Sequence, residues 1–214
     1  MSGAQQVLLG LKRAVSGGPP TFVAAETARR GADLTISKPA GTVDNDVMLA
    51  LIGSASTGVT PPAGWTEIET VSVHQPYFRA YRKVASGEGA SYAWTGADEQ
   101  LGAILTFRGV NTTTPVDIDG SGTFTAVNNP SAPSVTTTVA NTVVVAVQTN
   151  NDSGNPATPP SGMTERVDLS DAVGNFSISV ATVAQAASGA SGAKQFALSF
   201  SATGVAYTVA LLPA

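Results

Sequence analysis

The chain has no cysteine and a single histidine, His74, among its 214 residues. Thiol nucleophiles, disulfide frameworks and zinc sites built from Cys and His are therefore excluded. Charge is scarce as well. Asp, Glu, Lys and Arg together make 12% of the residues, about half the share of an ordinary globular protein, and the net charge is −4. Basic residues never run beyond two together (Lys12-Arg13, Arg29-Arg30, Arg82-Lys83). That is too little positive charge to displace counterions from a nucleic acid, so no nucleic-acid partner is expected. No stretch of 18 apolar residues occurs, so no membrane insertion by a spanning helix is expected. The apolar stretch Val7-Leu8-Leu9 precedes the charges at Lys12-Arg13, the reverse of a secretory leader.

What the chain does have is 25 Thr, 24 Val, 22 Gly and 13 Pro. β-Branched residues lose rotamer freedom in helices and pack well on a pleated surface, whereas Gly and Pro punctuate turns. The composition predicts short strands joined by tight loops. Phe22 to Thr27, Leu34 to Ser37, Val47 to Ile52, Tyr77 to Ala85 and Leu101 to Phe107 read as strands, and the unbroken apolar run at 47–52 predicts burial on both faces. Residues 1–20 stand apart. Val7, Leu8, Leu11, Ala14 and Val15 recur at helical spacing before Ser16-Gly17-Gly18-Pro19-Pro20 breaks the pattern. Two helical turns are not stable alone in water, so this arm must dock on its own domain or on a neighbouring subunit. Val7, Leu8, Leu9 and Leu11 are its candidate anchoring residues.

The second half of the chain repeats the order of the first. Val47 to Leu51 corresponds to Val143 to Val147, an offset of 96 residues. Pro61-Pro62-Ala63-Gly64-Trp65-Thr66-Glu67 corresponds to Pro159-Pro160-Ser161-Gly162-Met163-Thr164-Glu165, an offset of 98. Tyr77 to Ala85 lines up with Phe176 to Ala184, and the Leu101 strand with Val205 to Leu211. Neither half is large enough to stand comfortably alone, but each can bury the other's apolar side. The expectation is an all-β, jelly-roll-like sandwich over residues 21–214, built from repeat halves at about 34–107 and 134–212. Two tandem small sandwiches are the alternative. Arg108 to Pro133 reads as a long crossover with at most a short strand or two. In each Pro-Pro-x-Gly element the glycine takes a backbone position other residues avoid, and Trp65 or Met163 then enters the core.

Candidate chemistry is sparse. Asp117-Ile118-Asp119-Gly120-Ser121-Gly122-Thr123 matches the opening of a calcium loop, with oxygen ligands from Asp117, Asp119 and Ser121 at positions 1, 3 and 5 and glycine at 6. Position 12 is Asn128, where a bidentate Glu belongs, and turns favour Asp, Gly and Ser in any case. No G-x-S-x-G elbow accompanies His74, so a triad has no nucleophile in the expected setting. Tyr77, Arg79 and Tyr81 share one face of their strand and, if exposed, would stack on sugar rings or a protein partner. Apart from calcium no cofactor is expected, and the chain reads as a non-enzyme.

Val47 to Ile52, Pro61 to Thr66, Tyr81 to Ala85, Trp94-Thr95 and Ala103 to Val110 together resemble β-sandwich modules in structural proteins of tailed bacteriophages. The opening Met1-Ser2-Gly3-Ala4-Gln5-Gln6-Val7-Leu8-Leu9-Gly10 is similar to the N-termini of small phage tail and fibre proteins, which attach to the particle by that end. The resemblance implies a virion surface module of tail-fibre or collar type, anchored by its N-terminal segment. Capsid decoration and carbohydrate-binding adhesion to a host-surface glycan are alternatives on the same scaffold. It implies other virion proteins as partners and a homo-oligomer or symmetric assembly, and it carries no catalytic motif.

Overall fold

The computed structural model describes residues 17–30, 32–152, 154–170 and 176–214. Among the described residues there is no helix. The first half forms β1 (Thr21–Arg30), β2 (Leu34–Ser37), β3 (Val47–Ser54), β4 (Thr66–Val71), β5 (Tyr77–Val84), β6 (Ser91–Trp94) and β7 (Gln100–Arg108). Five of these make an antiparallel sheet in the order β1-β7-β3-β5-β4, with β3 central between β7 and β5. β2 pairs with β6 as a separate ribbon.

The chain then enters β8 (Val116–Val127), two short strands β9 (Ser131–Ala132) and β10 (Thr136–Thr137), and β11 (Thr142–Asn150). It continues through β12 (Ala157–Thr158), β13 (Thr164–Leu169), β14 (Ser177–Gln185), β15 (Gly189–Ala190), β16 (Lys194–Gln195) and β17 (Ala197–Leu198) to β18 (Ala202–Leu211). The second five-stranded sheet runs β8-β18-β11-β14-β13. Strand for strand, this is the order of the first sheet.

The two sheets lie face to face as a sandwich. Val47, Leu49, Leu51, Phe78, Leu101 and Leu105 of one sheet share a buried cluster with Val143, Val145, Val147, Ile178, Val180 and Val209 of the other. Phe78 meets Tyr207 across the layer with ring centroids 5.2 Å apart. Leaving water contributes about 1.5–3 kcal/mol per side chain of this size, so this shared layer is the main source of stability. The outer faces are covered too. Met48, Ala50, Ile52, Tyr81 and Ile104 lie under the β2–β6 ribbon, where Trp65, Tyr92 and Trp94 pack edge to face or tilted. On the other sheet, Ala146, Ala181 and Ala206 lie under Phe196 and Leu198. Every residue of β3 and of β11 is therefore buried, as the apolar run at 47–52 predicts.

The repeated Pro-Pro-x-Gly element forms the same turn twice. Gly64 and Gly162 take φ of 84° and 77°, and the amides of Trp65 and Met163 donate to the carbonyls of Pro62 and Pro160. Trp65 is buried, and Met163 packs against the core.

Three sequence expectations change. The all-β sandwich is present, but the chain completes one sheet before starting the other, without the strand exchange of a jelly roll. The stretch read as a crossover contains β8, a 12-residue strand. It escapes a periodicity search because it is an edge strand, paired only with β18 and mostly solvated, so its Asp, Gly, Ser and Thr carry no apolar alternation. The third change is register. Val47 pairs with Val84, and the corresponding Val143 pairs with Ala184, so Tyr77 matches Ser177 and not Phe176. A one-residue slip moves every side chain to the other face, and pairing, unlike residue similarity, fixes it. The helical reading of the arm and its residues Val7, Leu8, Leu9 and Leu11 lie outside the described residues.

Candidate functional site

Tyr77, Arg79 and Tyr81 do share one face of β5, but not an open one. Tyr81 is wholly buried beneath the β2–β6 ribbon, and burial pushes its hydroxyl up to about 12. The Arg79 side chain is 13% exposed and already occupied. It pairs with Glu67 at 3.5 Å, donates to Thr70 Oγ1 at 2.9 Å and reaches the carbonyl of Thr57. Tyr77, at the start of the strand, is half-buried, so burial of Tyr81 and the engagement of Arg79 leave no continuous sugar-stacking platform on this face. The sequence shows that these residues alternate together, but not which face receives the ribbon.

Asp117, Asp119 and Ser121 lie on β8, in extended conformation. Along a strand Asp117 and Ser121 stand about 13–14 Å apart, so the three residues cannot close around one ion at the 2.3–2.6 Å that calcium requires. Each group also has another role. Asp117 accepts from the Thr138 amide at 2.7 Å and from the Thr138 hydroxyl. Ser121 Oγ donates to Glu69 Oε2 at 2.9 Å and ties the β8 edge to the β4 edge of the other sheet. Burial, then the charge of Glu69, pushes the Asp119 carboxyl up. Among the described residues no group of three or more His, Asp or Glu side chains gathers in a metal-holding arrangement. The calcium-loop reading does not survive the strand.

The molecule has two distinct ends. At one, Val47 pairs with Phe107, Val143 pairs with Leu211, and Val110 bridges Pro213. Here the described chain begins. Gly17 runs so close to Ala214 that a Cβ on it would sit 3.0 Å from the Ala214 oxygen, and its carbonyl accepts from Asn141 Nδ2 at 3.3 Å. Beside it lies an open groove of about 500 Å³, lined among others by Val43, Asp44, Arg108, Asn111 and Ala214. Its rim is braced by Arg108, whose Nε and Nη2 donate to the two Asp46 oxygens at 2.9 and 2.8 Å. The Asp46 side chain is 3% exposed and also receives the Val43 amide at 3.0 Å.

At the opposite end, Ser54 pairs with Tyr77 and Asn150 with Ser177 and Gly204. His74 sits half-buried there, in the loop between β4 and β5. Two large apolar side chains protrude from this end, Val73 at 68% exposure and Phe200 at 62%. Phe200 is held by the wholly buried Asn155, which donates Nδ2 to the Phe200 carbonyl at 2.8 Å and accepts its amide at 3.0 Å. The aromatic ring is therefore presented on a clamped backbone. Neither Asn155 nor Phe200 stands out in the sequence, because the clamp joins positions 45 residues apart.

No family model matches the chain, and no match was found among curated proteins or among solved structures.

Proposed function

We propose that the chain is a non-enzymatic structural module of a tailed-phage particle, of tail-fibre or collar type. The N-terminal arm, residues 1–20, attaches it to the particle, and the Phe200 end faces outward. The observation that carries this reading is the opposition of the two ends: the arm joins beside Ala214, while the clamped Phe200 and the exposed Val73 lie at the far end of both sheets. A module attached by one end presents the other. The resemblance of Pro61 to Thr66, Tyr81 to Ala85 and Ala103 to Val110 to phage β-sandwich modules supports the same reading.

The test is assembly of particles with a chain lacking residues 1–20. We expect the truncated chain to stay soluble, with an unchanged β-type circular dichroism spectrum, and to be absent from purified particles. Incorporation equal to that of the full chain overturns the anchor. Counting copies by quantitative mass spectrometry separates the readings, since a fibre or collar position gives few copies and a decoration protein gives hundreds.

A further inference from the structure

A second groove, of about 450 Å³, opens at the seam where β1 of one sheet meets β13 of the other. Pro19, Pro20, Phe22, Phe107, Val143 and Ala184 supply apolar walls. In this setting stands one cation. The Arg166 guanidinium lies over the Phe22 ring at 4.3 Å from its centroid, and its Nε donates to Thr182 Oγ1 at 2.8 Å. No carboxylate among the described residues pairs with it. Partial burial without a counter-charge pulls its pKa down, whereas the paired Arg108 is pushed up by Asp46.

The fold does not require an arginine here. Arg166 is the bulge residue between Glu165 and Val167, and the corresponding bulge of the other sheet, between Glu67 and Glu69, holds Ile68 packed against the core. Both strands at the seam are sheet edges: among the described residues β1 pairs with β7 alone and β13 with β14 alone, so each has a side without a described ladder partner. Apolar walls, free strand edges and a lone guanidinium fork suit one kind of occupant.

We propose that this groove docks an extended segment of a partner protein, carrying one Asp or Glu between apolar residues, with Arg166 taking the carboxylate in its fork. The chemistry stands whichever assembly the chain serves. A carboxylate supplies the charge that the site lacks, and the flanking apolar residues cover Pro19, Phe22 and Ala184.

The probe is an array of synthetic heptapeptides with Val, Leu and Ala flanks and a central Asp, Glu, Asn, Gln or Lys, read by fluorescence polarisation against the full chain. Acidic centres should bind at least about tenfold more tightly than their amide counterparts, with affinity falling as salt rises. Arg166→Gln should erase the acid–amide difference. Arg166→Lys should weaken it, because an ammonium lacks the planar fork. Amide shifts on titration should centre on Thr164, Thr182 and Val183. If Arg166→Gln does not fold, Ala184→Glu, at an exposed position on the Thr182 side of β14, places a carboxylate in the groove and should abolish acidic-peptide binding. The proposal falls if acidic and amide peptides bind alike, if none binds, or if Arg166→Gln keeps the preference. It falls equally if sedimentation shows the groove filled by a second copy of the chain.

Discussion

The few charges of this chain sit where they hold loops in place. Glu88, between β5 and β6, accepts Lys83 Nζ at 2.8 Å, the Tyr92 hydroxyl at 2.8 Å and the Ser86 amide at 3.0 Å. Burial pushes its carboxyl up, but the bonds from Lys83, Ser86 and Tyr92 together outweigh that and hold it below its ordinary value of 4.5. A carboxylate whose folded pKa is depressed contributes stability that is fully present above the unfolded value and lost as pH falls through the folded one. Glu88→Gln should therefore lower the urea midpoint at pH 7, and the gap to wild type should close on acidification below the ordinary carboxylate value of 4.5. A gap that does not change with pH would show that geometry, not charge, makes this contact. Such contacts divide sharply in how far the sequence reveals them. Trp65 announces itself as a core anchor because it follows a Pro-Pro-Ala-Gly turn. The Asp46–Arg108 bracket spans 62 positions, and nothing local marks either partner.

At the scale of strands, apolar pattern and edge position decide what can be read. β3 and β11 are central and covered on both faces, so a continuous apolar run identifies them. β8 is an edge and carries no such run. The outer strands of both sheets carry register shifts, between Phe22 and Ala24 on β1, Glu67 and Glu69 on β4, and Glu165 and Val167 on β13. β8 shifts opposite Ala202/Gly204 and Ala210/Leu211. Bulges twist an edge away from regular pairing, which protects a sheet of low charge from edge-to-edge aggregation. Packing between strands is tight enough that Gly204 tolerates no side chain. At Gly204 a Cβ would stand 2.0 Å from the Thr149 carbonyl oxygen and 2.8 Å from Asn150 Cα, both backbone atoms that cannot rotate away. At Gly122, on the neighbouring strand β8, a Cβ would meet nothing within 4 Å. Gly204→Ala should cost about 2–4 kcal/mol by forcing β18 away from β11. Gly122→Ala should be neutral or gain up to about 1 kcal/mol through the unfolded chain. Chemical denaturation of the two variants side by side checks both, and equal midpoints would mean that β18 and β11 are less closely locked than their pairing implies.

For the molecule as a whole, the question left by the sequence is whether its two similar halves are two units or one. Each half builds a complete five-stranded sheet, and the outer face of each has its own cover, so the ladder bonds of each sheet are made within its own half and only bonds such as Ser121–Glu69 and the Val110–Pro213 bridge cross between them. The inner faces are different. Among the described residues Val47, Leu49, Leu51, Phe78, Leu101 and Leu105 are covered by the second sheet, and a bare patch of that kind exceeds what a soluble monomer ordinarily exposes. Losing the partner sheet costs each half its largest apolar contact while leaving the entropy cost of ordering its strands unchanged. The full chain should therefore melt in a single transition, with calorimetric and van't Hoff enthalpies equal and a heat-capacity change on the order of 2–3 kcal/mol/K. Residues 17–112 and 113–214 expressed apart should each aggregate or stay molten, binding hydrophobic dye and giving no sharp melt. Expressed together, they should recover a soluble complex with the melting profile of the intact chain. A sharp independent melt from either half would instead make the chain two tandem domains, because a sheet stable alone cannot owe its core to the other.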